Sequence, residues 1–341
     1  MSRVLRRILP AVTAAAIALT ALTACSTSGP QVGAGTAAVV GNATISTDLV
    51  DQRLRTAAPL LAQAVQEQAQ QDGRQSSGLD ATTLASQSRD LLTTAILHEV
   101  VLEASRREGV VVDPALVEQR VEAAGGVQAA TAAGYDLDTL RQLIFDQIAV
   151  AEIGRRQFDR LQVTVDVGTF ADKAAAQQAA AQLAAEPGIG PLATLPAQAR
   201  IVGTTLRPGT TQPGEQVRTA SSLLFGLPGR TVSISAPQQD STPGAATPDP
   251  TTQPWTVVRV RDRSLNAPAP TGDTVPATLV DTRTMTQFGL RAIQPVAAEL
   301  GVQVNPRYGT WDPTQVRVVA PPSAAGTITP VAPGVTFTTA P

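Results

Sequence analysis

Cysteine and histidine each occur once in the 341 residues, as Cys25 and His98. A single cysteine cannot close an internal disulfide, so oxidative cross-linking holds nothing in this chain together. One histidine and one cysteine are too few for the clustered N and S ligands of a zinc site. A hydrolytic triad would have to use His98 as its base, and no Gly-x-Ser-x-Gly turn presents a serine. No Gly-x-x-x-x-Gly-Lys run exists to cradle phosphate. Lysine also occurs once, as Lys173, and the formal net charge is only −2, which removes the basic footprint of a nucleic-acid binder. Aromatic residues make up 3% of the chain, so its core must be built mainly of Ala, Val, Leu and Ile. Beyond residue 25 there is no apolar run long enough to span a bilayer.

What is present begins at the N-terminus. Arg3, Arg6 and Arg7 precede an uncharged, apolar stretch from Ile8 to Leu22. That stretch is short for a membrane span of about 20 residues and fits the apolar region of a secretory signal. It ends in Leu22-Thr23-Ala24-Cys25, a cysteine directly after small residues, as in the bacterial lipobox. The reading is a lipoprotein signal peptide over 1–24, with diacylglycerol transferred to the Cys25 thiol and a polar tether over 25–35. Two or three acyl chains anchor stably where one is marginal. The expected location is therefore the outer face of the cell membrane.

The rest divides by texture. Ala37 to Val40 reads as a strand, Gly41-Asn42 as a tight turn, and Ser46 as the cap of a helix over about 47–70. Further helices are predicted over 80–108, from Asp113-Pro114 to Gly125, near 127–133, and over 136–160. Val163, Val165 and Val167 alternate as a strand, followed by an Ala/Gln-rich helix over 171–185 and strands near 200–206, 232–234 and 255–260. A last helix is predicted over 278–300, with Leu279, Met285, Leu290, Ile293, Val296 and Leu300 as its apolar stripe. From Pro321 the chain is uncharged and rich in Pro, Ala and Thr, a composition that predicts disorder.

The run Ala37 to Ser46, with Asp48-Leu49 and Arg53-Leu54 after it, resembles the opening of the SurA-like family of exported chaperones, many of which carry parvulin-type prolyl isomerase domains. Val110 to Asp113, Gly134-Tyr135-Asp136 and Leu140 to Ile144 also look like that family's N-terminal region, and Val304 to Trp311 resembles a closing segment of actinobacterial members. Residues 163–167, 223–233 and 255–263 are similar in outline to a parvulin domain. The resemblance implies an α+β fold: a mainly α-helical chaperone domain over 36–160, a degenerate parvulin-like α/β module over 161–263, and a linker and C-terminal helix over 264–320 packing back on the N-terminal domain. A disordered tail follows over 321–341.

A parvulin site typically holds paired histidines beside Cys or Asp. Here the module has neither histidine nor cysteine, and Asp166 stands roughly where a histidine is expected, so no catalytic residue carries over. Modest prolyl isomerisation by desolvating the amide alone stays open. His98, between Leu97 and Glu99-Val100 on a helix, reads as structural, and Asp312 as a turn residue. Tyr135, Phe145 and Phe158 either line a client groove or belong to the helical core. The expected function is a membrane-tethered foldase or holdase that binds unfolded secreted polypeptides without ATP, cofactor or metal. The alternative is an envelope scaffold lipoprotein with one dedicated protein partner.

Overall fold

The computed structural model describes residues 30–71, 73, 78–210, 219–235, 254–272, 274–320 and 325–337. Cys25, the expected signal peptide and the Pro/Ser/Thr-rich run at 236–253 lie outside the described residues.

The architecture is α+β. Strands β1 (Thr36–Val40) and β2 (Ala43–Ser46) form a hairpin, and α1 (Thr47–Gln71) leaves it with its Leu49 N–H donating to the Ser46 hydroxyl at 3.2 Å. The helices α2 (Ala81–Glu108), α3 (Pro114–Ala123), α4 (Gly126–Ala132) and α5 (Leu137–Phe158) follow. Aspartates set three of these starts. Asp80, Asp113 and Asp136 each accept a backbone N–H of the first turn, satisfying donors that no helical carbonyl can reach. Gly109 ends α2 at φ 64°.

Strand β3 (Gln162–Phe170), α6 (Lys173–Ala185), the single turn α7 (Gly190–Ala193), β4 (Arg200–Leu206), β5 (Thr231–Ser235) and β6 (Trp255–Ser264) make the α/β module. Beyond it lie α8 (Thr282–Ala292), α9 (Gln294–Leu300), β7 (Val302–Val304), β8 (Thr310–Asp312), β9 (Arg317–Val319) and β10 (Thr327–Pro330). Three sheets result, in the orders β2-β1-β7, β10-β5-β6-β3-β4 and β8-β9.

Helix α8 lies across α5 at two facing glycines. A Cβ on Gly289 would sit 2.0 Å from the Val150 carbonyl oxygen, and one on Gly154 would sit 2.7 Å from that of Met285. Only bare backbone allows the helices this close. The contact also carries Phe288 onto Phe158 (centroids 5.1 Å, edge-on) and towards Phe225 of the module (6.3 Å). Consequently one hydrophobic core runs from α2 and α5 through α8 to Val163, Val165, Val258 and Val260 of the five-stranded sheet. The opposite face of that sheet has a smaller core of its own under α6.

Two expectations need correction. The helix predicted over 278–300 is broken at Ile293, because Pro295 lacks the N–H that a continuous helix would donate. A short 3₁₀ turn at Ala277–Leu279 replaces its first turn, leaving Leu279 exposed. The tail predicted to be disordered from 321 is ordered over 325–337. There β10 pairs antiparallel with β5, and Val331 and Val335 are buried. Absence of charge is equally compatible with a strand whose apolar residues meet a distant partner.

Candidate functional site

Asp166, which the sequence resemblance sets where a parvulin would carry a histidine, lies on β3. The register sets Asp166 opposite Arg259 on β6, with Arg261 two residues on and so on the same face. Arg259 Nε and Nη2 lie 2.7 and 2.6 Å from Asp166 Oδ2, and Arg261 Nε lies 2.8 Å from the same oxygen. Arg261 Nη2 and the Gly203 N–H approach Oδ1, each at 2.8 Å. Both Asp166 and Arg259 are wholly buried. Three of these contacts are hydrogen bonds, from Arg259 Nε, Arg261 Nε and the Gly203 N–H, and the two guanidinium charges lie against both oxygens, so the carboxylate faces fixed internal partners.

Arg259 is committed on its other side. Its Nη1 donates to the carbonyls of Leu183, Glu186 and Gly188 at 3.3, 2.8 and 2.9 Å, tying the end of α6 to the sheet. Burial lowers its pKa, opposed by the neighbouring Asp166 charge. Asp166 is thus the keystone of an ion-pair lattice and lacks the surroundings of a catalytic acid or base. The sequence carries a signal for this: Arg259 and Arg261 alternate with the apolar Val258 and Val260 in β6, placing two guanidinium groups on one face of the sheet.

The remaining sequence candidates scatter. His98 Nδ1 sits 2.7 Å from Asp146 Oδ1, joining α2 to α5, with its ring edge-on to Phe145. Burial pushes the Asp146 carboxyl upward, against the pull of His98 and Arg53. Phe158 is core, Phe145 packs on the core, and Tyr135 is half-buried between α4 and α5. These aromatics do not converge on one opening. Asp312 is fully buried and accepts from the N–H groups of Thr314, Gln315 and Gly326 at 2.8, 3.0 and 2.9 Å, and from the Thr314 hydroxyl at 2.7 Å. It holds a turn, as its sequence suggests, and also fastens the C-terminal segment. Among the described residues no group of three or more His, Cys, Asp or Glu side chains could hold a metal ion.

A groove of about 710 Å³ lies elsewhere, at the closing segment, bounded by Arg89 of α2, Val302 and Val304 of β7, Pro306, Tyr308, Trp311 and Pro313. Asn305 builds it. Its backbone N–H donates to the Ala37 carbonyl and its side-chain amide to that of Thr36, both at 2.9 Å, while its side-chain oxygen accepts the Arg307 N–H at 3.1 Å. Gly309 completes the turn at φ 142°, where a Cβ would lie 2.3 Å from the Val319 carbonyl oxygen. Tyr308 is buried, which raises its phenol pKa, and Arg307 stacks on its ring at 5.2 Å. A second hollow of about 360 Å³ shares Val302, Trp311 and Pro313 and is bounded by Pro228, Ile328 and Pro330. Strand β7 is the edge of its sheet, beside both hollows. The groove thus offers two aromatic rings, two prolines of fixed φ and a strand edge, with a cationic rim. Sequence reading singled out 304–311 through a resemblance and gave it no role, since no local pattern says that these side chains face an opening.

No protein-family model matches the chain, and no curated protein matches it. Among solved structures it is similar to foldase protein PrsA from Streptococcus pneumoniae, at 14% identity over 68% of this chain and 93% of that one, with a TM-score of 0.21. It is also similar to foldase protein PrsA from Lactococcus lactis, at 12% identity over 80% of this chain and 95% of that one, with a TM-score of 0.23.

Proposed function

We propose that this chain is a lipid-anchored, extracytoplasmic chaperone that holds extended apolar segments of exported polypeptides. The observation that carries the reading is the aromatic groove at Tyr308 and Trp311 beside the edge strand β7. Extended peptides bind sheet edges through main-chain hydrogen bonds, and neighbouring hollows take alternate side chains. A groove of aromatic, proline and aliphatic walls tolerates many sequences, as a holdase requires, and nothing in it needs ATP. Cys25, at the end of the Leu22-Thr23-Ala24-Cys25 motif, supplies the anchor. The reading does not invoke prolyl isomerase chemistry, because Asp166 is buried and engaged by the guanidinium groups of Arg259 and Arg261. The bare barrier of about 18–20 kcal/mol is then opposed only by desolvation.

The test is suppression of aggregation of a denatured client by the chain without residues 1–24, compared with its Trp311→Ala variant. Protection at stoichiometric ratios that falls several-fold in the variant supports the reading. No protection by either chain, or one dominant partner in cross-linked pull-downs from cells, would overturn it in favour of a dedicated scaffold.

A further inference from the structure

One edge of the five-stranded sheet is occupied by the chain's own C-terminal segment. Thr327 to Pro330 pair with Ile234 to Thr231 as an antiparallel strand. The segment then continues through backbone bonds, from Val331 N–H to the Arg230 carbonyl and from Ala332 N–H to the Ala184 carbonyl, each at 2.8 Å. Arg230 Nη2 donates to the Val335 carbonyl at 2.8 Å. At the end, the Phe337 ring lies against three guanidinium groups, those of Arg259, Arg230 and Arg261, at 5.0, 5.6 and 5.8 Å from its centroid. These contacts form one continuous receptor: a strand edge, two carbonyl acceptors, an arginine donor and an aromatic slot walled by cations.

The ligand's chemistry is written in what fills the receptor. Residues 325–337 carry no charge, contain Pro330 and Pro333, run extended along β10, turn at Pro333-Gly334 with the Val335 N–H donating to the Ala332 carbonyl at 3.3 Å, and finish in an aromatic ring. This is the chemistry of an unfolded apolar stretch of protein. Most of the recognition is through backbone, so it depends little on the sequence of the strand. We infer that the β5 edge with its arginine slot is a second peptide-binding site, taking extended, uncharged, proline-bearing segments with an aromatic residue, and that the chain's own 325–337 competes for it in cis. The site shares a ligand class with the Trp311 groove and adjoins it at Ile328 and Pro330, but its carbonyl acceptors and arginine slot belong to it alone, so loss of one reading leaves the other standing.

The probe is a fluorescent peptide with the sequence of residues 325–337, titrated against the full chain and against Val335→Asp/Phe337→Ala, which weakens the segment and leaves the receptor intact. A competitor that occupies the site most of the time reduces apparent affinity by the free fraction, so the double variant should bind the peptide about tenfold or more tightly than the unmodified chain. Adding Arg230→Ala should reverse that gain, whereas Arg89→Ala, on the far wall of the Trp311 groove, should not. Equal binding by the unmodified chain and the double variant, or indifference to Arg230→Ala, overturns the inference. A readout that needs no variant is amide exchange in the unmodified chain. The Val331 and Ala332 amides should exchange roughly a hundredfold faster than those of Val165 and Val258, through opening of the segment alone. Exchange at the same rate as the sheet centre would make 325–337 a permanent strand and also overturn the inference.

Discussion

Asp166 Oδ2 lies 2.6 Å from Nη2 of Arg259, and neither side chain has any exposed surface. Removing one member of such a pair strands the other charge without water, at a cost of about 3–5 kcal/mol. Asp166→Ala is therefore expected to lower stability by that much in denaturant titration. Asp166→Leu combined with Arg259→Met should recover part of the loss, because two apolar groups need no partners. Asp166→His, which introduces the residue type that the sequence resemblance would lead one to expect there, should give no isomerase activity, since its ring would face two guanidinium groups. Recovery of a rate above the uncatalysed one in a proline-peptide assay would contradict the structural role assigned to Asp166.

At the crossing of α5 and α8, Gly289→Ala sets helix propensity against sterics. Alanine favours a helix over glycine by about 1 kcal/mol. Here its Cβ would enter the Val150 carbonyl oxygen at 2.0 Å, forcing the helices apart, and overpacking of this kind costs about 1–3 kcal/mol. Net destabilisation is expected, with a lower denaturation midpoint. A neutral or stabilising result would mean that the helices slide apart freely.

Acid should loosen the helix starts. The Thr83 backbone N–H foremost at Asp80, the Thr139 hydroxyl at Asp136 and the Thr284 backbone N–H at Asp281 hold these carboxyls below the usual range. A carboxyl whose pKa is depressed by folding takes its proton more readily in the unfolded chain. The stabilisation is therefore complete above the ordinary value of about 3.9 and is lost as pH falls through the lower folded value. Asp136→Asn keeps a capping oxygen but does not titrate, so its melting temperature should fall less steeply between pH 5 and pH 2 (about the range where Asp titrates). Asp136→Ala should cost about 1 kcal/mol at neutral pH. Parallel acid limbs for Asn and wild type would argue against the assignment.

Asp312→Ala should unfasten the C-terminal segment. Five donors converge on this carboxylate, among them the Gly326 N–H just before β10. Each buried donor left unpaired costs about 1–3 kcal/mol. Proteolysis within 325–337 is expected to rise sharply, and an unchanged digestion pattern would show that β10 stays seated without this anchor.

Much of the helical framework is legible locally. Asp80, Asp113 and Asp136 mark helix starts, and Gly109 marks an end, because capping depends on residues within one turn. The alternating valines of β3 likewise announce a strand. What local pattern cannot give is a partner. The strand at Thr327–Pro330 looks like a polar tail until β5 lies beside it. Asp166 looks like a substituted active-site residue until Arg259 and Arg261 arrive from the next strand. Tyr308 and Trp311 carry no periodicity that shows which way they face, and only the pairing of Asn305 with the backbone of Thr36 and Ala37 turns them into groove walls.

That same pairing has a kinetic meaning. Strand β1 lies at the middle of its sheet, between β2 and β7, with Val39 opposite both Thr44 and Gln303. Its first neighbour arrives a few residues later, but its second follows only after α1 to α9 have been made. Synthesis runs from the N-terminus, so the Ala38–Val40 edge waits open while everything between is delivered. Closing so long a loop is slow, because its entropy is spent before the contacts form. Until β7 arrives, the β1 edge is itself an unpaired strand of the kind the protein is proposed to hold, and the groove bounded by Val302 and Val304 cannot form before that pairing.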